Sequence, residues 1–321
     1  MTPSLYLDRM LVMIYRFLRK ARVGLEIKPA VLRLAASMGT GAQSDNLLTK
    51  AVEIPEGTVS FGFSALNIRD RDGLREIARR LLGATSLRPA RRAALSLPDS
   101  TFRVQSLEFD QLPGKRAAIE QLVRWRLDKT AAFDTSDTML HYQIFRRQDK
   151  GFLLLAAVVK TDILSQYEEL ILSLGLEPWT ISLSSLHSLN FYYPYIAAKT
   201  PSFAFALVSC DSFTTIVVES EGLRFYRFKE IKGNSADNVR ERLFREMADS
   251  LHFYVHMDRQ KPSEVRHLYI TIDGIELGGL VKGLLHAASL ELEILSPALV
   301  LGSKSDAKPE MAAALGAWSA L

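Results

Sequence analysis

Apolar and polar positions alternate with a period of two across residues 23–37, with a break at Lys28-Pro29. That pattern predicts two half-buried strands joined by a tight turn. Further short strands are expected at 52–55 and 59–63. A helical period takes over at 73–82, where Leu74, Ile77, Ala78, Leu81 and Leu82 share one face and arginines the other. An apolar strand at 93–97 ends at Pro98-Asp99. The next block reads strand (102–109), helix (116–129), strand (139–145), strand (152–159) and helix (162–174). In the first of these helices Ile119, Leu122, Val123 and Leu127 form the buried stripe. Gly175 stops the second, because glycine enters the left-handed conformation that closes a helix without steric cost.

A strand at 176–183 and a helix to about residue 193 lead into a Pro-bounded boundary at 194–201. Three strands follow at 203–208, 214–218 and 222–228. Asn234 or Ser235 then caps a long helix running to about residue 259. A strand at 265–272, a helix at 279–288, a strand at 290–295 and an alanine-rich helix at 310–321 complete the chain. The two halves open alike, VGLEIKPAVLRLAAS against FALVSCDSFTTIVVES, each a strand, a turn and a strand. This is an internal repeat in outline. The expected organisation is a leader at 1–22, a first lobe at 23–98 and 176–200, an inserted α+β subdomain at 99–175, and a second lobe at 201–321.

Length supports this division, since 321 residues are enough for two cores. The net charge of +4 implies mild attraction to anionic surfaces, without the clustered bases and interleaved aromatics of a nucleic-acid binder. Cys210 is the one cysteine, which excludes an intrachain disulfide and a thiolate zinc site. No run approaches the roughly 18–20 apolar residues of a membrane span. The nearest is at 10–15, bounded by Arg9 and Arg16 and followed by Arg19, Lys20 and Arg22. Two readings of this amphipathic leader stay open: docking on a membrane surface, or packing on its own domain.

The chemistry-bearing constellations are sparse. His252 and His256 lie four apart on one helix face but lack the glutamate of a zinc-protease motif, so no metal site is expected. Ser184, Ser185 and His187 are neighbours in sequence, which does not make a triad. No nucleophile elbow or Walker loop is present, and no catalytic residue is assigned. Arg69, Arg71, Arg75, Arg79 and Arg80 alternate with Asp70, Asp72 and Glu76, as on a salt-bridged surface.

Gly24-Leu25-Glu26-Ile27, preceded by the basic leader YRFLRKARVG, resembles the opening of the PilM family of type IV pilus assembly proteins. The strand and turn ALSLPDS, the helix around Trp125, and His141-Tyr142 in the next strand are similar to that family's inserted segment. The segment LSQYEELILSLGLEP, the helix LFREMADSLHFY and the closing LGAWSAL fit it too. The resemblance runs over about residues 13–321 and rests on the order of many weak motifs. It implies an α/β, actin-like (ribonuclease H-like) two-lobed fold with an inserted α+β subdomain in the first lobe. It also implies a cytoplasmic scaffold at the inner face of the inner membrane. Its partners would be the N-terminal tail of a PilN-like membrane protein and other pilus platform proteins, with peripheral membrane association and no nucleic acid. The tail would lie in a groove built from Leu95, Leu97, Phe109, Leu112, Ile119 and Val123. An active actin-like ATPase of pilus assembly and a GspL-like type II secretion scaffold are the alternatives.

Actin-like ATPases cradle phosphates with backbone N–H groups of glycine-containing hairpin turns. By the resemblance, the nucleotide residues here would be Glu26, Lys28, Ser209, Asp211, Thr214 and Gly274. The first turn carries Lys28 where glycine is expected, and Pro29 removes a donor. The second places Asp211 at a glycine position, where a carboxylate about 4–5 Å from a phosphate is repelled by about 3–4 kcal/mol at an effective dielectric near 20. The third keeps Gly274. The expectation is a degraded pocket with no cofactor, ATP with magnesium staying open as the alternative.

Overall fold

The computed structural model describes residues 22–37, 47–84, 92–130, 134–146, 151–220, 222–233, 235–257, 264–274, 290–302 and 305–321. The leader and the helix expected at 279–288 lie outside these residues. In chain order the elements are β1 (Arg22–Lys28), β2 (Val31–Ser37), β3 (Leu47–Glu53), α1 (Arg71–Gly83), β4 (Arg92–Leu97), β5 (Arg103–Phe109), α2 (Arg116–Thr130), β6 (Thr138–Arg146), β7 (Phe152–Lys160) and α3 (Thr161–Ser173). They continue with β8 (Glu177–Leu183), α4 (Ser184–Ala197), β9 (Phe203–Ser209), β10 (Ser212–Glu219), β11 (Gly222–Glu230), α5 (Ala236–Met257), β12 (His267–Asp273), β13 (Glu291–Ile294), α6 (Ala298–Leu301) and α7 (Ala312–Ser319). No described helix is long and apolar enough to cross a membrane.

The chain forms two compact units, one of residues 1–102, 160–196 and 296–321, the other of 103–159 and 197–295. In the first, a mixed sheet runs β3-β2-β1-β4-β8. β1, β2 and β3 are antiparallel, whereas β4 lies parallel to both β1 and β8. In the second, β11-β10-β9-β12-β13 repeats the same order, with an antiparallel meander and two parallel strands. The internal repeat read from the sequence is thus a repeat of topology. Residues 103–159 add a three-stranded sheet, β5-β7-β6, and the helix α2.

Periodicity explains most of these elements. Leu74, Ile77, Ala78 and Leu81 of α1 are buried, while Asp70 accepts from Gly73 N at 2.9 Å to cap its start. Its arginines pair along the exposed face, Arg75 with Asp72 and Arg79 and Arg80 with Glu76, as expected of a solvated surface. At the end of α3, Gly175 has φ +75°, its N–H donates to the Leu172 carbonyl, and Leu176 N–H donates to the Ile171 carbonyl. This paired closure is the stop expected at Gly175. Ser235 accepts from Asn238 N at 3.3 Å and so caps α5. From α5, Leu243, Met247, Leu251 and Tyr254 pack on Ala204, Ala206, Val208 and Phe213 of the second sheet.

Three expectations differ from what is found. Residues 59–63 form no strand: Val59 makes an isolated bridge to Ile68, and the segment is tied down elsewhere. Gln166 does the tying, accepting from Asn67 N at 2.8 Å and Ile68 N at 3.3 Å and donating to the Ile68 carbonyl at 3.1 Å. Those contacts also explain why α3 belongs to the first unit and not to the inserted segment, which shrinks to 103–159. Lastly, the C-terminal helix, assigned from sequence to the second lobe, packs on β1, β2 and β4 of the first unit. Small residues make this possible. A Cβ on Gly24 of β1 would overlap the backbone of Trp318 and Ala314, so only glycine lets the strand and α7 approach so closely.

Candidate functional site

The β1–β2 hairpin pairs Lys28 with Val31 and Glu26 with Arg33, leaving Pro29-Ala30 as the loop. Directly opposed residues of an antiparallel pair project from the same face. Glu26 and Arg33 are both buried and form an ion pair, Nη1 to Oε2 3.0 Å. Parallel pairing with β4 brings Ser96 beside Glu26. Ser96 Oγ lies 3.2 Å from Ser184 Oγ, at the start of α4. The Ser184 hydroxyl has one proton to place between the Leu97 carbonyl at 3.0 Å and Glu26 Oε1 at 3.3 Å. Asp99, also buried, accepts from Ser185 N at 3.1 Å and so anchors the first turn of α4. The result is a buried polar row, Arg33, Glu26, Ser96, Ser184, with Asp99 beside it. Its sequence signal is the hairpin register: a two-residue loop at Pro29-Ala30 dictates that Arg33 faces Glu26.

Lys28 sits at the end of this row, its Nζ 3.9 Å from Glu26 Oε1 and its side chain 14% exposed. The Glu26 carboxylate is therefore held by a guanidinium, a hydroxyl and an ammonium. Removing one partner of such a buried carboxylate leaves an uncompensated charge. His187, three residues on from Ser184, is fully buried, and its Nδ1 has no hydrogen-bond partner among the described residues. Burial alone pushes its pKa down to about 4, so the ring is neutral at pH 7. The neighbouring serines and this histidine do not assemble a triad: the Ser184 hydroxyl is within reach of the Leu97 carbonyl and Glu26, and its proton goes to one of these and not to His187.

The other two turns lie in the second unit. Between β9 and β10, Cys210 and Asp211 are exposed at the tip. Ser212 Oγ donates to Asp211 Oδ1 at 3.1 Å, and the Asp211 carbonyl accepts from Ile231 N at 2.7 Å. Ser209 is half-buried and Thr214 is buried. At the end of β12, Asp273 is buried and Gly274 has φ +72°, a conformation other residues rarely adopt. The structure thus places Glu26 and Lys28 together, Ser209, Asp211 and Thr214 together, and Gly274 at the end of the adjacent parallel strand, where Asp273 pairs with Ser209. No group of three or more metal-ligating side chains occurs among the described residues. His252 is exposed, and the His256 side chain lies outside the described residues.

The residues expected to line a partner groove differ in exposure. Leu95 and Leu97 are fully buried in β4, a central strand covered on both faces, and cannot meet a ligand without the core opening. Val123 is equally buried in α2, and Phe109 is 8% exposed. Only Leu112 and Ile119 of the six are half-exposed. Leu95 and Leu97 belong to the first unit and the other four to the second.

No family model and no curated protein sequence matches this chain. Solved structures do. A PilM-PilN type IV pilus biogenesis complex superposes with a TM-score of 0.70 at 16% identity, over 92% of this chain and 97% of that chain. A Bacteroides thetaiotaomicron protein with an actin-like ATPase fold and unknown function gives 0.53 at 10% identity, over 92% and 95%. The cytoplasmic domain of EpsL, an inner-membrane component of the Vibrio cholerae type II secretion system, gives 0.51 at 13% identity, over 91% and 98%. Together with the repeated strand order and the inserted segment 103–159, these likenesses establish an α/β protein of the actin-like ATPase fold.

Proposed function

We propose that this chain is a PilM-like scaffold of a type IV pilus assembly platform. It would sit at the cytoplasmic face of the inner membrane and bind the N-terminal tail of a PilN-like membrane protein. The reading is supported by likeness, across nearly the whole chain, to the fold of a PilM-PilN complex. Its second part, that the fold serves as scaffold and not as engine, rests on one observation. The Glu26 carboxylate, one of the nucleotide residues the resemblance implies, is buried and occupied by Arg33, Ser184 and Lys28. The exposed Asp211 carboxylate at the tip of the second turn supports the same reading, since it would repel a phosphate brought there. A scaffold binds a tail through apolar contacts, strengthened near the membrane by basic residues. The likeness to the EpsL cytoplasmic domain favours one second reading, a scaffold of a type II secretion system.

Two measurements test the proposal. A synthetic peptide with the N-terminal tail sequence of a PilN-like protein from the same genome should bind saturably in calorimetry, and failure to bind would remove the pilus reading. Thermal melting with Mg-ATP should leave the midpoint unchanged. A nucleotide at 100 times its dissociation constant would add about 2.7 kcal/mol, so a clear upward shift would restore the ATPase reading.

A further inference from the structure

The inserted sheet ends on β6, which has no strand on its outer side among the described residues. Such an edge presents unpaired N–H and C=O groups to solvent and accepts a further strand unless something blunts it. No proline interrupts β6; Arg124 takes the Thr138 carbonyl at its start, Arg146 is its last residue, and between these ends the exposed positions include Met139 and Ile144, at 52% and 38% exposure. Beside the edge lies a groove of about 440 Å³, bordered by five consecutive residues, Leu140 to Ile144, and by the first turns of α2. Consecutive strand residues point to opposite faces, so a cavity touched by all five runs along the edge and not over one face. Ile119 of α2 faces the same groove, and Tyr142 Oη donates to the Arg116 carbonyl at 3.4 Å, joining strand to helix.

The charge of the groove selects its occupant. Arg116 lines it and Lys115 precedes it, both exposed and neither in an ion pair among the described residues. The one lining acid, Glu120, is paired with Arg124 at 3.2 Å. For His141, the remaining titratable group besides Tyr142, partial desolvation and the Arg116 guanidinium lower the pKa. The surplus is positive, and a second copy of this chain would bring the same surplus to the contact.

We infer that the edge of β6 and its groove form a docking site for an extended acidic peptide segment of a partner protein, added as a fourth strand to the inserted sheet. Main-chain bonds to β6 give affinity, alternate apolar side chains fill the groove over Ile119 and Leu140, and a carboxylate meets Arg116. This site lies wholly within residues 103–159 and does not depend on the pilus reading.

The test uses the full chain and two short capped peptides, one alternating valine with threonine and glutamate, the other with lysine in place of glutamate. The glutamate peptide should bind saturably, with amide shifts in nuclear magnetic resonance confined to β6 and the first turns of α2. Arg116→Glu, at an exposed position, should weaken it about tenfold and reverse the preference toward the lysine peptide. Ile144→Glu should weaken both peptides. Equal affinity for the two peptides, no saturation at millimolar concentration, or shifts elsewhere would overturn the inference. So would sedimentation showing a dimer that Ile144→Glu dissolves, since the edge would then serve a second copy.

Discussion

Gly316→Ala tests the packing of the C-terminal helix. In isolation the change should help, because alanine is about 1 kcal/mol better than glycine inside a helix. In the folded chain the added Cβ would overlap the His187 carbonyl group and stand 3.0 Å from its Cα. These are backbone atoms of α4, which no rotamer change can move. Nor can α7 retreat, because its other side rests on β1 at Gly24, where the Ala314 and Trp318 backbones already make the closest approach. Two backbones must separate by roughly 1 Å or more, and overpacking of a filled core costs about 1–3 kcal/mol or more. Set against the helix gain, we expect a net loss of about 2 kcal/mol, a fall in melting midpoint of roughly 4–8 °C. Urea unfolding followed by circular dichroism and by tryptophan emission measures it, with Trp318 reporting from the same helix. Gly83→Ala is the control: it ends α1 with nothing within 4 Å of the new Cβ, and should be neutral or gain a few tenths of a kcal/mol. A Gly316→Ala protein as stable as the parent, or a Gly83→Ala protein equally damaged, would refute the reasoning.

Two further outcomes follow from the same unit. His187 has a folded pKa of about 4 against an ordinary value of 6.5, so the unfolded chain binds its proton first as pH falls. Stability should therefore be full above about pH 6.5, decline by about 3 kcal/mol down to pH 4, and level off below; His187→Gln should flatten that window in chemical denaturation at stepped pH. Arg33→Met strips Glu26 of its closest partner and should cost about 3 kcal/mol, whereas Glu26→Leu combined with Arg33→Met should recover most of it. A double variant as unstable as the single one would mean that the ion pair is not what Arg33 contributes.

Much of this molecule is written locally. Alternation in 23–37 and the 3.6 period in 73–82 translate directly into β1, β2 and α1, because each side chain's face follows from its own backbone geometry. Gly175 and Ser235 mark helix ends for equally local reasons. The likeness between VGLEIKPAVLRLAAS and FALVSCDSFTTIVVES became two sheets of one strand order. Even the Glu26–Arg33 pair was within reach, given the loop length.

What sequence could not decide was destination. An apolar alternation at 59–63 asks for a partner strand but cannot supply one, and Gln166, about a hundred residues on, bound the neighbouring backbone instead. Leu95 and Leu97 read as available apolar surface until packing on both faces of the sheet buried their strand. The alanine-rich end of the chain specified a helix with a slim face, and only the glycines at 24 and 316 meeting backbones distant in sequence sent it to the first sheet. Local periodicity sets what each segment is. Which surfaces meet depends on the closest approach of segments far apart along the chain, and that exists only once they have packed.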